Sequence, residues 1–319
     1  MLNIKKILLP VDFPNTSLRV VHQAATLAHH FHSEIVMLHA VTAESHAAGV
    51  PEDSSELGGW DLLAAIIREA QKQQDQSLGT ELDGLAIRRV VVNGDPGWAI
   101  VKMAEVEKAD LIMLPSHGAT FNRFLLGSVT AKVLRGTECP VWTSAHVEEP
   151  EPSKGYDPLL LFGGVGESQP AQAAGDEVKR QPGQEFAIRN VLCAVELGLR
   201  SKEVVSWAAP MAAEFGARLT LVHVTASVEL WGPGGDYVVP EWKESFVADA
   251  SQRMAKLQQD MGTKADVLIG SGDVPKVLSQ AAQQTKADLL VIECYPYSGN
   301  LRIHGYAIIC AVPIPVLSV

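Results

Sequence analysis

The chain has 319 residues, of which 47% are hydrophobic and 20% are charged, and its formal net charge is −11. An acidic protein repels polyanions at long range, which argues against a DNA or RNA partner. No apolar run approaches ~18 residues, and the four cysteines form no C-x-x-C pair. We therefore expect a cytoplasmic protein with no signal peptide and no membrane partner.

Short apolar runs alternate with amphipathic stretches through residues 1–145. The first run, ILLPV at 7–11, is apolar throughout, which is typical of a strand buried on both faces of a parallel sheet. Ser17 is a candidate N-cap for the first helix, and Pro96 suits the first turn of the third. The sequence predicts strands at 7–11, 35–40, 87–92, 110–114 and 140–143, and helices near 18–31, 61–78, 96–106 and 128–134.

The same order recurs in the second half of the chain. Residues 188–225 align with residues 4–41 without a gap, at a constant offset of 184 positions. The repeat predicts strands near 189–195, 218–224, 265–269, 288–292 and 315–318, with helices near 201–214, 241–260, 274–284 and 305–310. The expected fold class is α/β: two tandem doubly wound parallel-sheet (Rossmann-like) domains, a first copy at 1–145 and a second copy at 187–319, packed as a pseudo-dimer.

Residues 146–186 lie between the two copies and are rich in proline, glycine, glutamine and acidic residues. Such a segment cannot bury a core of its own, so we predict a flexible linker. It contains an apolar island, LLLF at 159–162. The island is either a loosely docked patch or a segment that binds a partner protein.

Two predicted strand ends carry the residues that could hold a ligand. In a doubly wound sheet, ligands bind at the carboxyl ends of the strands, where the strand order switches. Asp12 follows the first strand, and the segment 116–130 follows the fourth. Gly118 and Gly127 allow the backbone to approach a ligand closely, and Ser128 stands at a helix start, which attracts phosphate. The pattern predicts a mononucleotide site.

Three motifs carry a family resemblance: PVDF at 10–13, LLGSVTAKVL at 125–134 and CPV at 139–141. Residues 3–144 and 187–319 resemble the universal stress protein family in its tandem two-domain form. Nucleotide-binding members of that family hold the phosphates of ATP with a glycine-rich signature. The resemblance implies ATP or another adenine nucleotide, with Mg²⁺ as a candidate companion ion, and a binding site formed by Pro10, Val11, Asp12, Ala40, Pro115, Ser116, His117, Gly118, Gly127, Ser128, Val129 and Thr130.

Within that set the resemblance implies separate roles. Asp12 would contact the nucleoside, the backbone at Ala40 would contact adenine, and the phosphates would bind to Gly118, Gly127, Ser128 and Val129. Two departures from the family signature concern the loop itself. Pro115 stands where the family has a glycine, and eight residues separate Gly118 from Gly127, one fewer than in the family. The shorter spacing makes the loop tighter than the family's, and because proline has no N–H group the loop has one donor fewer.

The second copy departs further from the signature. Glu196 stands where the first copy has Asp12, Cys294-Tyr295-Pro296 replaces the Ser-His-Gly stretch, and Arg302-Ile303 replaces Gly127-Ser128. We therefore expect at most one nucleotide site, in the first copy, and a degenerate second copy.

Residues that recur in both copies are expected to be structural, because the copy without a site keeps them. His39 recurs as His223, and Asp110 recurs as Asp288. His117 does not recur; it is either an acid/base candidate or a residue that positions the backbone. The histidines at 22, 29, 30 and 32 surround a helix end and predict a solvated terminus, not a metal site. We expect the six tryptophans in cores or interfaces.

These observations favour a stress-response module that binds an adenine nucleotide and regulates other proteins, with no catalytic residue assigned. One alternative is a weak ATPase or phosphotransferase, and another is a nucleotide-free interaction scaffold. We expect the two domains to pack against each other within the chain. Further expected partners are a second copy of the chain in a homodimer and an unidentified regulatory protein.

Overall fold

The computed structural model describes residues 2–13, 16–42, 59–116, 126–144, 186–225, 230–232, 235–237, 240–293 and 301–319. The linker predicted at 146–186, with its apolar island, falls outside the described residues except for Phe186. Residues 1–146 and 187–319 form one compact unit. In the described part of the chain, no helix is long and apolar enough to cross a membrane.

Strands and helices alternate through the first copy, as the apolar pattern predicts. Its elements are β1 (Lys6–Pro10), α1 (Leu18–Phe31), β2 (Glu34–Val41), α2 (Gly59–Gln76), β3 (Ile87–Asn93), α3 (Pro96–Glu107), β4 (Leu111–Pro115), α4 (Ser128–Gly136) and β5 (Val141–Ser144). The central strands are buried on both faces, since Ile7, Leu8 and Leu9 are fully enclosed, and this explains why their sequences are apolar without alternation.

The second copy repeats this series and adds one hairpin. Its elements are β6 (Asn190–Ala194), α5 (Ser201–Glu214), β7 (Arg218–Thr225), β8 (Leu230–Gly232), β9 (Gly235–Tyr237), α6 (Pro240–Met261), β10 (Asp266–Ser271), α7 (Val274–Thr285), β11 (Leu289–Ile292), α8 (Leu301–Ala311) and β12 (Val316–Ser318). The antiparallel pair β8–β9 was not predicted. The segment that holds it reads as a loop, because its strands are only three residues long.

Both copies contribute to a single ten-stranded sheet, in the order β10-β7-β6-β11-β12-β5-β4-β1-β2-β3. Pairing is parallel within each copy and antiparallel where β12 meets β5. Each copy has its first strand between its second and its fourth, so the direction of winding reverses beside β1 and beside β6. The predicted α/β class with doubly wound parallel sheets is confirmed, and these reversals mark where a ligand would bind.

A Gly-Asp turn starts the third helix of each copy. Gly94 and Gly272 have φ values of +140° and +127°, which only glycine adopts without strain. The following aspartates are N-caps: Asp95 accepts a hydrogen bond from the Trp98 amide at 3.0 Å, and Asp273 accepts one from the Lys276 amide at 3.2 Å. The recurring dipeptide is therefore a helix start, in which glycine sets the turn and aspartate satisfies an open N–H group.

A second recurring aspartate fixes the beginning of the first strand in each copy. The carboxylate of Asp110 accepts hydrogen bonds from the amides of Lys5 and Lys6 at 2.8 and 2.9 Å. In the second copy, Asp288 accepts from the amides of residues 189 and 190 at 2.8 and 3.0 Å. The predicted structural role of this aspartate is confirmed in both copies.

The first helices of the two copies meet at their C-terminal ends. The ring of His30 stacks on that of Phe215, with centroids 4.2 Å apart, and its Nε2 lies 3.8 Å from a carboxylate oxygen of Glu214. Phe31 contacts Phe215 edge to face at 6.0 Å. His30 is exposed, in keeping with the predicted solvated helix end, and it also packs against the end of α5, a contact of which the sequence shows no sign.

Candidate functional site

The candidate site lies at the carboxyl ends of β1 and β4, which are neighbours in the sheet. Ile7 pairs with Leu111 and Leu8 with Ile112, so both strands reach the same edge together. The Val11 amide donates to the Leu38 carbonyl at 2.8 Å and continues the pairing one residue past β1. Val11 is buried and Asp12 is exposed. The backbone thus turns outward at Asp12, at the predicted position.

His39 holds the backbone at this turn. Its Nδ1 lies 2.9 Å from the Val11 carbonyl oxygen, and its ring lies 5.5 Å from that of Phe13. In the second copy, Nδ1 of His223 lies 2.7 Å from the Val195 carbonyl oxygen. The predicted structural role of this histidine is confirmed, since the contact is the same in both copies.

The side chain of Asp12 remains available to a ligand. Its backbone carbonyl accepts a hydrogen bond from the Thr16 hydroxyl at 3.1 Å. Within the described residues, no hydrogen bond or ion pair engages its carboxylate. An exposed carboxylate held on a fixed turn can accept hydrogen bonds from sugar hydroxyls or from an amine.

Two hydrogen bonds join the ends of the loop between β4 and α4. The Gly127 amide donates to the Ser116 carbonyl, and the Thr130 hydroxyl donates to the Pro115 carbonyl, both at 3.0 Å. Ser116 and Thr130 are buried. The Gly127 amide and the Thr130 hydroxyl therefore serve the fold, and they fix the start of α4 beside the end of β4.

The donors that remain at the start of α4 are backbone amides. The first N–H groups of a helix have no partner inside it, and in α4 these belong to Ser128, Val129 and Thr130. The first bond within the helix runs from the Ala131 amide to the Gly127 carbonyl at 2.8 Å. Ser128 is exposed and adds a hydroxyl. Together with the helix dipole, these groups suit a phosphate.

The other predicted residues lie on the same strands or outside the described part. Pro10 is the last residue of β1 and pairs with Leu38 of β2. Ala40 lies in β2, one residue before its end, and pairs with Val92 of β3. His117 and Gly118 lie outside the described residues. The structure therefore brings Pro10, Val11, Asp12, Ala40, Pro115, Ser116 and the start of α4 to one edge of the sheet.

An ion pair that the sequence did not suggest joins α3 to α4. The Lys132 ammonium lies 2.7 Å from the Asp95 carboxylate, and this hydrogen bond, with that from the Trp98 amide, lowers the pKa of Asp95. Gly97 makes the approach possible, because a Cβ there would contact the Lys132 chain. Lys132 lies in the second turn of α4, and its ammonium is engaged by Asp95 of the scaffold.

The equivalent edge of the second copy is acidic. Glu293 stands where the first copy has Pro115, and it is 9% exposed. Burial raises the pKa of Glu293, and the nearby Glu196 carboxylate raises it further, against the effect of Arg200. Arg200 is also hydrogen bonded to Glu203 through two nitrogens. Carboxylates at this position repel phosphate, and the sequence pointed only to Glu196.

The comparisons with known proteins agree with this architecture. A model of the universal stress protein family matches residues 3–144 and 187–300. Universal stress protein MJ0531 of Methanocaldococcus jannaschii is 31% identical over 140 residues, covering 43% of this chain and 79% of its own. Universal stress protein MJ0577 of the same organism is 32% identical over 154 residues, covering 43% and 92%.

Solved structures match the whole arrangement of the two copies. A universal stress protein from Archaeoglobus fulgidus DSM 4304 has a TM-score of 0.61 at 17% identity, over 99% of this chain and 96% of its own. The functionally unknown protein PA1789 from Pseudomonas aeruginosa PAO1 has a TM-score of 0.62 at 14% identity, over 99% and 92%. At such identities the likeness concerns the fold. Because the family model covers most of both copies, the chain belongs to the universal stress protein family, as a tandem two-domain member.

Proposed function

We propose that this protein is a stress-response regulatory module that binds one adenine nucleotide, at the switch point of the first copy. The observation that carries the proposal is the pair of hydrogen bonds from Gly127 and Thr130 to the end of β4. They hold the open amides of α4 at the edge where Asp12 is exposed. The groups that would bind the phosphates and the carboxylate that would bind the nucleoside then lie at the ends of neighbouring strands.

The site would divide the nucleotide between its two halves. The Asp12 carboxylate would accept hydrogen bonds from the ribose hydroxyls, and the amides of Ser128, Val129 and Thr130 would donate to the phosphates. The backbone at the end of β2, near Ala40, would contact adenine. A Mg²⁺ ion would be held mainly by the phosphates of the nucleotide, since Mg²⁺ takes phosphate oxygens and water with only one or two carboxylates.

The second copy would contribute packing and not a second site. Glu293 and the nearby Glu196 stand where the first copy has Pro115 and Asp12, and a pair of carboxylates there disfavours a phosphate. The strand β12 pairs with β5 through Val316–Thr143, Leu317–Trp142 and Ser318–Val141, so the two copies associate through their last strands. A homodimer of the whole chain, or a complex with a regulatory protein, would use other surfaces.

The test is isothermal titration calorimetry with ATP, ADP and adenosine, on the whole chain, with and without Mg²⁺. We expect one site per chain. Asp12→Ala should weaken binding about tenfold or more, since a hydrogen bond to a charged group contributes ~1.5–3 kcal/mol. The matched variant Glu196→Ala should bind like the wild type.

Other outcomes would separate the alternatives. Two sites per chain, or weaker binding in Glu196→Ala, would contradict a single site in the first copy. If chromatography detects ADP formed from bound ATP over hours, the protein is a weak ATPase. Absence of binding to any of the three ligands would leave an interaction scaffold.

A further inference from the structure

Helix α8 of the second copy contacts helix α4 of the first. The Tyr306 hydroxyl donates a hydrogen bond to the Ala131 carbonyl at 2.9 Å. Tyr306 is partly buried and packs against the shared core, as do Leu126 and Val129 from the other copy. Ala131 follows directly on Thr130, so this contact lies at the end of the turn that offers its amides to a phosphate.

A second contact lies at the other end of the same turn. Burial raises the pKa of the Cys310 thiol, and the Leu126 backbone, which lies close to the sulfur, lowers it. Leu126 immediately precedes Gly127, the N-cap of α4. The contacts from Tyr306 and Cys310 therefore bracket residues 127–130, and both come from one face of α8, because they are four residues apart.

The two copies are not equivalent in this contact. Residues 139–141 and 314–316 align at an offset of 175, as do Val133 and Ile308, which are both fully buried. At the same offset, Tyr306 corresponds to Ala131. Alanine has no hydroxyl, so α4 cannot return the hydrogen bond. The hydrogen bond is therefore donated by the second copy, with its acidic edge, to the first copy, with the open amides of α4.

We propose that Tyr306 is a positioning residue for the phosphate-binding turn of the first copy, so that the second copy, which has no site of its own, sets the affinity of the first for phosphate. This inference rests on the proposed function and adds to it a contribution of helix α8 to phosphate binding. Helix-end amides must lie within about 3 Å of a phosphate oxygen to bind it. Fixing α4 at residues 126 and 131 holds those amides in place before the ligand arrives.

The test compares ATP and adenosine in Tyr306→Phe, which keeps the ring and removes the hydroxyl. We expect a loss of about three- to tenfold in ATP affinity, the range for one neutral hydrogen bond, and unchanged adenosine affinity, since adenosine does not use the start of α4. Cys310→Ala should show the same selective loss. Thr285→Val is the matched control, because its hydroxyl also donates to a helix carbonyl, that of Ala281 at 2.8 Å, far from α4 in the sequence.

The two proposals fail in distinguishable ways. If the wild type binds neither ATP nor adenosine, the proposed function is wrong and Tyr306 has no site to position. If the wild type binds ATP and Tyr306→Phe binds it equally well, only the inference is overturned. Equal weakening of ATP and adenosine, or the same loss in Thr285→Val, would indicate a general effect on stability and would also overturn it.

Discussion

A buried hydrogen bond between Trp142 and Gln23 should be a measurable determinant of stability. Nε1 of Trp142 donates to Oε1 of Gln23 at 2.9 Å. Trp142 is 0% exposed and Gln23 is 4% exposed. Trp142 also pairs with Leu317 of the second copy. The contact thus joins α1, β5 and the junction of the two copies.

Removing one partner leaves the other buried without its hydrogen bond. Gln23→Leu keeps most of the volume but strands the indole N–H, which should cost about 1–3 kcal/mol. Trp142→Phe strands the amide and also leaves a cavity, so its cost should be larger, about 3 kcal/mol. In the double variant no polar group is stranded, so its cost should be smaller than the sum of the two by about 1 kcal/mol or more.

The assay is denaturant unfolding followed by circular dichroism, on the wild type, both single variants and the double variant. In thermal melts of the same variants, a cost of ~2 kcal/mol corresponds to a fall in Tm of roughly 3–4 °C, at an unfolding entropy of about 2.1 cal/mol/K per residue. An interaction energy below about 0.3 kcal/mol would refute the reasoning, because the two effects would then simply add.

Two further predictions concern the second copy. The pKa of Glu293 is raised in the folded state, so its contribution to stability is present below the pKa of the unfolded state and is lost as the pH rises through the folded pKa. Glu293→Gln should therefore raise Tm at pH 7.5 and leave Tm unchanged near pH 4. An equal shift of Tm at both pH values would contradict this account. Gly270→Ala should lower stability by about 1–3 kcal/mol in thermal melts, because its Cβ would overlap Val277. Gly198→Ala is the control, since a Cβ there has no atom within 4 Å; equal melts for the two variants would refute the steric explanation.

The order of elements could be predicted because it depends on local patterns. Apolar runs mark the central strands, and the Gly-Asp turns mark the starts of α3 and α7. The internal repeat added information of another kind: it showed that His39 and Asp110 belong to the scaffold. Both residues make contacts within their own copy, so the contact recurs wherever the copy does.

Burial and contacts that depend on distant segments could not be read from the sequence. Trp98, expected in a core or interface, is 63% exposed, whereas Trp142 is buried as expected. Tyr306 gave no signal, because its partner is a backbone carbonyl, which every residue type has. Glu293 lies in an otherwise apolar strand end, and only the fold places it beside Glu196. Such pairings depend on how distant segments meet.

Two unlike halves lie in one chain and pair through β5 and β12, and this has a consequence for binding curves. In a symmetric pair of identical subunits, one substitution changes both sites at once, and occupation of one site can alter the other. Here the two halves are different segments of one chain, so a substitution in one half leaves the sequence of the other unchanged. One half could then lose phosphate affinity while the other retains it. If the proposed function holds, the one site of the chain has no equal within that chain to communicate with. Its saturation should be hyperbolic, and the protein would report nucleotide concentration in a graded manner.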